Sequence, residues 1–500
     1  MSVEAKTLDP DDWEDMRRLA HRIVDDAIDY TRDVRDRPVW QEMPDDVRRA
    51  FAAPLPRRGR APSEVYETLK TGMMPYPLGN IHPRFWMWYM GASNFTGALG
   101  DFLAAILGSN LGGGNHSAAL IDRQVVDWMK EIVGYPAGAS GTLVSGGSVA
   151  NLIGLTVARN VKSPGDARAD GICGDGGRLR FYGSDQLHSC HQIALESLGL
   201  GRAGLRKLPA RDDGTLDPGL LAEAVSHDRS HGLRPACVIA TAGTVNAGAI
   251  DDLRAIGAFC RDEGLWFHVD GCIGGLLALS PRHRSLVDGM SEADSIAIDP
   301  HKWLHAPFEV GCALVRDRAA HRATFEKTPE YLQQKDRGIA ASEWLHDYGV
   351  QTSRGFRALK VWMALQEHGA DTFGALIDQD ITHATYLADR VEAVSDLELV
   401  AKRVISIVCF RFNPGDLGED ALRTLNTEIL LRMQEDGVAA VSDTVINGRF
   451  CLRAAINNHR TRKLDIDILV DAVLTHGRAL VDELSNGQEV SGSPSDASAS

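Results

Sequence analysis

Five hundred residues, 44% of them hydrophobic, can bury a large core and suffice for two or three domains. A formal net charge of −15, spread without a long acidic block, argues against nucleic acid or an anionic membrane as the main partner. No run approaches transmembrane length, no basic-then-apolar leader opens the chain, and eight cysteines without a CxxC pair predict scattered buried thiols rather than a disulfide framework or a zinc site, so a soluble cytoplasmic protein is expected.

Asp9-Pro10 reads as an N-cap followed by proline at the first helical position. It would open an amphipathic helix running to about residue 33 on Trp13, Met16, Leu19, Ala20, Ile23, Val24 and Ala27. The proline-rich stretch 34–82 is expected to be an extended, irregular arm. Thr142-Leu-Val144 reads as a short strand feeding a helix. Ala236–Thr241, Asp251–Glu263 and Leu265–Val269 then read as strand, helix and strand, a βαβ unit with parallel pairing and a right-handed crossover. Beyond residue 370 the texture becomes α+β: a helix at about 371–394, an alternating strand over Val404–Phe412, a helix near 419–436, a strand near 449–456 and a last helix near 464–484. The Ser-, Gly- and Asp-rich tail from Ser485 is expected to be disordered. The expectation is an α/β chain with an N-terminal helical arm (1–90), a large mixed-sheet domain (91–370), a small C-terminal α+β domain (371–484) and a tail (485–500).

Four segments carry chemistry. Ser145-Gly-Gly-Ser-Val-Ala-Asn151 starts a helix after a strand, where glycines let the backbone approach an anion and free N–H groups meet it, with Gly147 and Ser148 at the helix start. It matches neither the GxGxxG nor the P-loop pattern. Ala150 keeps it from being a GxSxG nucleophile elbow. Ser184-Asp-Gln-Leu-His188 places a flat ring, His188, where it can stack on an aromatic ligand, and His191 follows one helical turn on. Phe267-His-Val-Asp-Gly271 puts Asp270 at a strand end, able to keep a pyridine nitrogen protonated. Ser295-Ile-Ala-Ile-Asp-Pro-His-Lys-Trp303 sets Lys302 just beyond an apolar strand, where lost hydration would lower its pKa and free the amine to attack a carbonyl. Each residue alone has an ordinary structural explanation. In this order they supply what pyridoxal 5′-phosphate needs: a phosphate seat, a ring platform, a pyridinium partner and a Schiff-base lysine.

These motifs resemble the group II pyridoxal-phosphate decarboxylases, which include aromatic L-amino acid decarboxylases. Asp-Pro-His-Lys-Trp (299–303), His-Val-Asp (268–270), Ser-Asp-Gln-x-His (184–188), Ser-Gly-Gly-Ser (145–148), His-Pro-Arg-Phe (82–85) and Ser-Arg-Gly-Phe-Arg-Ala-Leu-Lys (353–360) carry the resemblance from about Trp13 to Leu484. It implies the aspartate-aminotransferase type I fold of PLP-dependent transferases and an obligate homodimer embraced by the N-terminal arm, with the active sites at the interface. It also implies a Schiff base on Lys302, Asp270 at the pyridine nitrogen, His188 on the ring, Thr244 nearby, and Gly147, Ser148 and His301 around the phosphate. In that family carbon dioxide leaves an L-amino acid and a loop tyrosine then protonates the substrate Cα, which the resemblance implies here. Thr328-Pro-Glu-Tyr-Leu332 nominates Tyr331, on a polar lid over Glu330–Ala341.

Some relatives carry phenylalanine at the tyrosine position and release an aldehyde by oxidative decarboxylation-deamination, so Tyr331 favours the amine. The aromatic wall Phe85-Trp-Met-Trp-Tyr89 nominates Trp88 and Tyr89 as substrate contacts, and Gly112-Gly-Gly-Asn-His-Ser117 adds His116. Met90-Gly91 and the glycine run replace bulkier family residues and are expected to enlarge the pocket or admit water. Gly271-Cys272 replaces the usual Ala-Ala, so Cys272 would lie against the ring. The reading from another class is an α/β serine hydrolase using Ser148, Asp270 and His301, which leaves Lys302 without a role.

Overall fold

The computed structural model describes residues 6–172, 174–327 and 329–485. The tail expected to be disordered lies, from residue 486 on, outside the described residues. Among the described residues twelve strands run in chain order: β1 (Phe85–Trp86), β2 (Ser140–Val144), β3 (Leu179–Ser184), β4 (Leu205–Leu208), β5 (Arg234–Thr241), β6 (Trp266–Asp270), β7 (Ser295–Ile298), β8 (Gly311–Val315), β9 (Leu397–Leu399), β10 (Ile407–Phe412), β11 (Ala440–Ile446) and β12 (Arg449–Ala455).

Seven of them form one sheet in the order β2-β8-β7-β6-β5-β3-β4. Neighbours pair in parallel except β8, which runs antiparallel to both β2 and β7. The carboxyl ends of β2, β5, β6 and β7 therefore open on one edge, the usual place for a ligand in an α/β sheet. The βαβ unit read from the sequence is present. Asp252 caps its helix, Leu253–Glu263, by accepting from the Ala255 amide at 3.0 Å, and Gly264 closes it at φ +66°. The register then sets Thr241 beside Asp270. Asp251, predicted to begin that helix, turns inward instead. Its carboxylate accepts from the amides of Leu216 and Thr241 and ties down the end of β5.

The first helix is Trp13–Arg32, and its cap is Asp12, which accepts from the amides of Glu14 and Asp15, not Asp9. None of its residues is buried within the chain. The stretch 34–82 is less irregular than its prolines suggest, because two of them sit where a helix tolerates a missing N–H. Pro44 precedes the helix Asp45–Phe51, and Pro62 starts the helix Pro62–Gly72. The arm ends in β1, which pairs in parallel with β11 at the edge of a second sheet, β1-β11-β12-β10-β9. The helices Ala370–Glu392, Glu419–Glu435 and Lys463–Ser485 agree with the sequence expectation. Strand β11 was not anticipated, since Ala440-Val-Ser-Asp-Thr does not alternate clearly. Among the described residues no helix is long and apolar enough to cross a membrane.

Candidate active site

At that open edge lies a cavity of about 330 Å³, lined by Gly147, Ser148, His188, Asp270, His301 and Lys302 among the predicted residues. Thr241, Cys190, Cys272, Asn151 and Asp299 join them.

Lys302 sits in a turn that follows β7, closed by its amide donating to the Asp299 carbonyl at 2.9 Å. The turn is pinned from below by Trp303, which is fully buried and donates from Nε1 to Asp380 at 3.0 Å. Lys302 Nζ meets Asp299 Oδ2 at 3.0 Å. Burial alone would lower the ammonium, but Asp299, backed by Asp270, outweighs it and lifts the group above its usual value. This corrects the expectation of a depressed, apolar lysine: the carboxylate three residues before it keeps the amine charged. The other Asp299 oxygen, Oδ1, and the Thr241 hydroxyl are buried without a hydrogen-bond partner.

The helix Gly147–Lys162 points its start into the cavity. As its first amides, those of Gly147 and Ser148 have no intrahelical acceptor. A Cβ on Gly147 would stand 2.4 Å from Cys272 Sγ and 2.8 Å from Asp299 Oδ2, so only glycine fits there. His301 donates from Nδ1 to the Val310 carbonyl at 2.7 Å and packs at a tilt against Phe308. Its burial pushes the ring below its usual value.

His188 caps the helix Ser189–Ser197, its Nδ1 accepting from the Cys190 amide at 3.1 Å, and leaves the rest of the ring exposed at the cavity mouth. Asp270 is buried, with Oδ1 accepting from the Cys272 amide at 3.1 Å and Oδ2 lying 3.3 Å from His191 Nε2. Behind it a polar chain runs through the core. Trp266 Nε1 donates to Ser295 Oγ, Ser295 shares 2.7 Å with His268 Nδ1, and His268 Nε2 shares 2.7 Å with Asn151 Oδ1. Asn151 Nδ2 then reaches Cys190 Sγ and Cys272 Sγ. A neutral His268 satisfies this chain by accepting from Ser295 at Nδ1 and donating to Asn151 from Nε2, and burial holds that ring down at about 3.

Four predicted residues lie elsewhere. Thr244 closes its own loop, its hydroxyl accepting from the Ala249 amide at 3.0 Å. Tyr89 is a core residue, its hydroxyl on Ser406 and its ring edge-on to Trp303. Trp88 is half exposed, and His116 stands at the N-cap position of the helix Ser117–Ile132 without capping it, its Nε2 donating back to the Gly113 carbonyl. Neither lines this cavity. The glycines thought to enlarge the pocket do not. A Cβ on Gly91 would meet the His301 carbonyl at 1.9 Å, and one on Gly112 the Thr352 carbonyl at 2.5 Å. They are small because backbone passes against them. Residues 330–332 form a short turn and 333–339 are exposed, while the Tyr331 side chain and Thr328 lie outside what is described. The hydrolase triad does not form: Asp270 faces His191, and His301 faces Val310 and Asp299. Asn151, Thr241 and Asp299 escaped sequence reasoning, although each stands inside or at the end of a segment already singled out.

The pyridoxal-dependent decarboxylase conserved domain matches residues 44–413. The chain belongs to this family. An aromatic-L-amino-acid decarboxylase of Bacillus atrophaeus is 32% identical over 90% of this chain and 92% of its own length. A phenylacetaldehyde synthase of Arabidopsis thaliana is 30% identical over 90% and 93%. The crystal structure of Oryza sativa TDC with PLP and tryptamine superposes with a TM-score of 0.87 at 27% identity, covering 95% of this chain and all of that one. The fold is therefore that of the type I PLP-dependent enzymes, and the chain is a PLP-dependent amino acid decarboxylase. The cavity fits pyridoxal phosphate on its own terms: unpartnered Thr241 and Asp299 oxygens, a glycine cradle at a helix start, an amine and a buried carboxylate.

Proposed function

We propose that the chain decarboxylates an aromatic L-amino acid to the corresponding amine. The observation that carries this is the meeting of Lys302, Asp270, His188 and the free start of the helix Gly147–Lys162 around one cavity. The aromatic substrate is supported by the names of the relatives above. When bound, pyridoxal phosphate supplies the electron sink that takes up the pair left by departing carbon dioxide.

Gly147 and Ser148 would hold its phosphate with their amides, and His301, kept neutral by burial, would add a polar edge. Lys302 would hold the aldehyde carbon through Nζ, and Asp299, 3.0 Å away, is the nearest acceptor for the proton Nζ must release. Asp270 would hold the ring-nitrogen proton, and His188 would cover the ring from the cavity mouth. Tyr331 we assign as the acid that delivers a proton to the substrate Cα, which favours an amine over the aldehyde that a synthase makes. Cys272 would lie beneath the ring, its thiol kept protonated by burial.

A homodimer is part of the same proposal. The helix Phe95–Leu107 exposes Phe102, Leu103, Ile106 and Leu107, and the helix Trp13–Arg32 exposes Trp13, Ile23, Val24 and Ile28. Contiguous apolar faces of this kind mark an interface. Trp88 and His116, outside the chain's own cavity, would then line the site from the interface. We further read residues 1–90 as the dimer-embracing arm, 91–370 as the cofactor domain and 371–484 as the small domain. The seven described cysteines are unpaired and buried, which fits a cytoplasmic setting.

Incubation with phenylalanine, tyrosine, tryptophan and dopa, with carbon dioxide, amine, aldehyde and peroxide all measured, tests the proposal. Amine matching carbon dioxide is the expected result. Aldehyde with peroxide would move the assignment to oxidative decarboxylation-deamination, and no carbon dioxide from any amino acid would overturn both.

A further inference from the structure

His191 was a secondary candidate in the sequence, one turn beyond His188, and the function above leaves it unused. The structure places it fully buried, behind the Asp270 carboxylate on the side away from solvent. Two contacts fix its role. Nδ1 lies 2.9 Å from the His188 carbonyl, which can only accept, so Nδ1 carries a proton. Nε2 lies 3.3 Å from Asp270 Oδ2, within ion-pair distance though without a formed hydrogen bond, and no other group among the described residues partners it. A neutral ring would leave an unprotonated nitrogen buried beside a carboxylate oxygen. A proton on Nε2 converts that repulsion into an ion pair.

We propose that His191 is a positioning residue for the ring-nitrogen partner: its imidazolium holds the Asp270 carboxylate ionised and aimed at the seat of the cofactor ring. This rests on the assignment of Asp270 as that partner. The carboxylate is then clamped at both oxygens, by His191 at Oδ2 and by the Cys272 amide at Oδ1.

The surrounding groups agree with this charge state. On the helix Ser189–Ser197, Cys190 Sγ lies 3.9 Å from His191 Nδ1 and His188 stands at the helix start. On β6, the His268 ring is edge-on to His191 at 6.5 Å and neutral, and Lys302 faces Asp270 from beyond β7. Burial alone would lower the His191 ring, but Asp270 and then Cys190 outweigh it and lift it to about 10. Burial alone would raise Asp270, and His191, the Cys272 thiol and Lys302 hold it well below the carboxylate range. The pair carries one proton, on the histidine, throughout the neutral range. Without His191 the buried carboxylate would take up a proton as the pH falls and would lose its hold on a ring-nitrogen proton.

The test compares His191→Phe, which removes donor and charge, with His191→Gln, which keeps an N–H donor without the charge. Pyridoxal 5′-phosphate is titrated into each full-length protein after removal of bound cofactor, from pH 6 to 8, and the affinity is expressed relative to wild type at the same pH. The inference expects His191→Phe to bind at least tenfold more weakly, with the deficit growing as pH falls. His191→Gln should lie between His191→Phe and wild type. A deficit that is the same at every pH would mean lost packing only and would overturn the inference, as would wild-type affinity in both variants. Asp270→Ala separates the two levels. If it binds and turns over like wild type, the assignment of Asp270 is what fails. If it is impaired while the His191 variants are not, only the role of His191 fails.

Discussion

Replacing Gly147 by alanine probes the phosphate cradle with a single methyl group. The new Cβ would sit 2.4 Å from Cys272 Sγ and 2.8 Å from Asp299 Oδ2. Comfortable heavy-atom contacts need about 3.5 Å or more, so the thiol must retreat by roughly 1 Å. It has little room: Cys272 is 7% exposed and Asn151 Nδ2 lies 3.7 Å from its sulfur. Asp299 cannot yield without disturbing its 3.0 Å contact with Lys302. Overpacking of this kind costs about 1–3 kcal/mol, which, set against cofactor binding, weakens it by roughly 5- to 150-fold. The assay is a pyridoxal phosphate titration followed by visible absorbance, with thermal melting as a control for folding. Cys272→Ala removes the closest atom, so the double variant should recover about half of the lost binding free energy, with the Asp299 contact keeping the rest. Binding of wild-type strength by Gly147→Ala, or no recovery in the double variant, would refute this account of the cradle.

Lys302→Ala should abolish both the yellow, borohydride-sensitive absorbance and carbon dioxide release while the far-ultraviolet dichroism is unchanged; full turnover would remove the lysine from the mechanism. His268 and His321 are both buried and held neutral, each at about 3 against an ordinary 6.5. The unfolded chain takes up protons at these rings that the folded chain refuses, so their contribution is complete above 6.5 and is lost as the pH falls toward 3, at about 1.4 kcal/mol per pH unit for each ring. Urea midpoints at pH 7 and pH 5 should therefore differ clearly, and an equal or higher midpoint at pH 5 would contradict the neutral rings. Ile106→Glu, on the exposed apolar helix face, should halve the mass seen in sedimentation; a wild-type chain that sediments as a monomer would end the dimer proposal.

The sequence made the chemistry more legible than the shape. Lys302, Asp270, His188 and Gly147 stood out because each type has a distinct chemical use and each follows an apolar strand, and the sheet edge gathers them around one cavity. Proline misled in the arm, since Pro44 and Pro62 act as helix starts and only neighbouring context separates a start from a break. The glycines misled in the opposite sense. Gly91 and Gly112 looked like missing side chains at a pocket wall, yet the chain that occupies that space, at residues 301 and 352, is distant in sequence. The charge on Lys302 was misjudged because the apolar strand before it was weighed and Asp299, within the same motif, was not. His191 could be nominated by spacing, but its meeting with Asp270 depends on how two strands and a helix pack.

The pairing of β1 with β11 sets an order in time. Arg84, just before β1, donates to the carbonyl of Val438 at 2.6 Å across 354 residues of sequence. At a synthesis rate of about 5–20 residues per second, on the order of 20–70 s separate the two ends of that contact. Through that interval Phe85 and Trp86, both buried in the finished chain, have no strand to pair with. Arg453, which then ties β12 to the Trp88 and Val245 carbonyls, is made later still. The wall of the cavity at Val245 is thus fastened only when the chain is nearly complete. A ribosome-bound fragment ending before residue 438 would carry Lys302 and Asp270 but lack both the partner of β1 and the Arg453 tie at Val245.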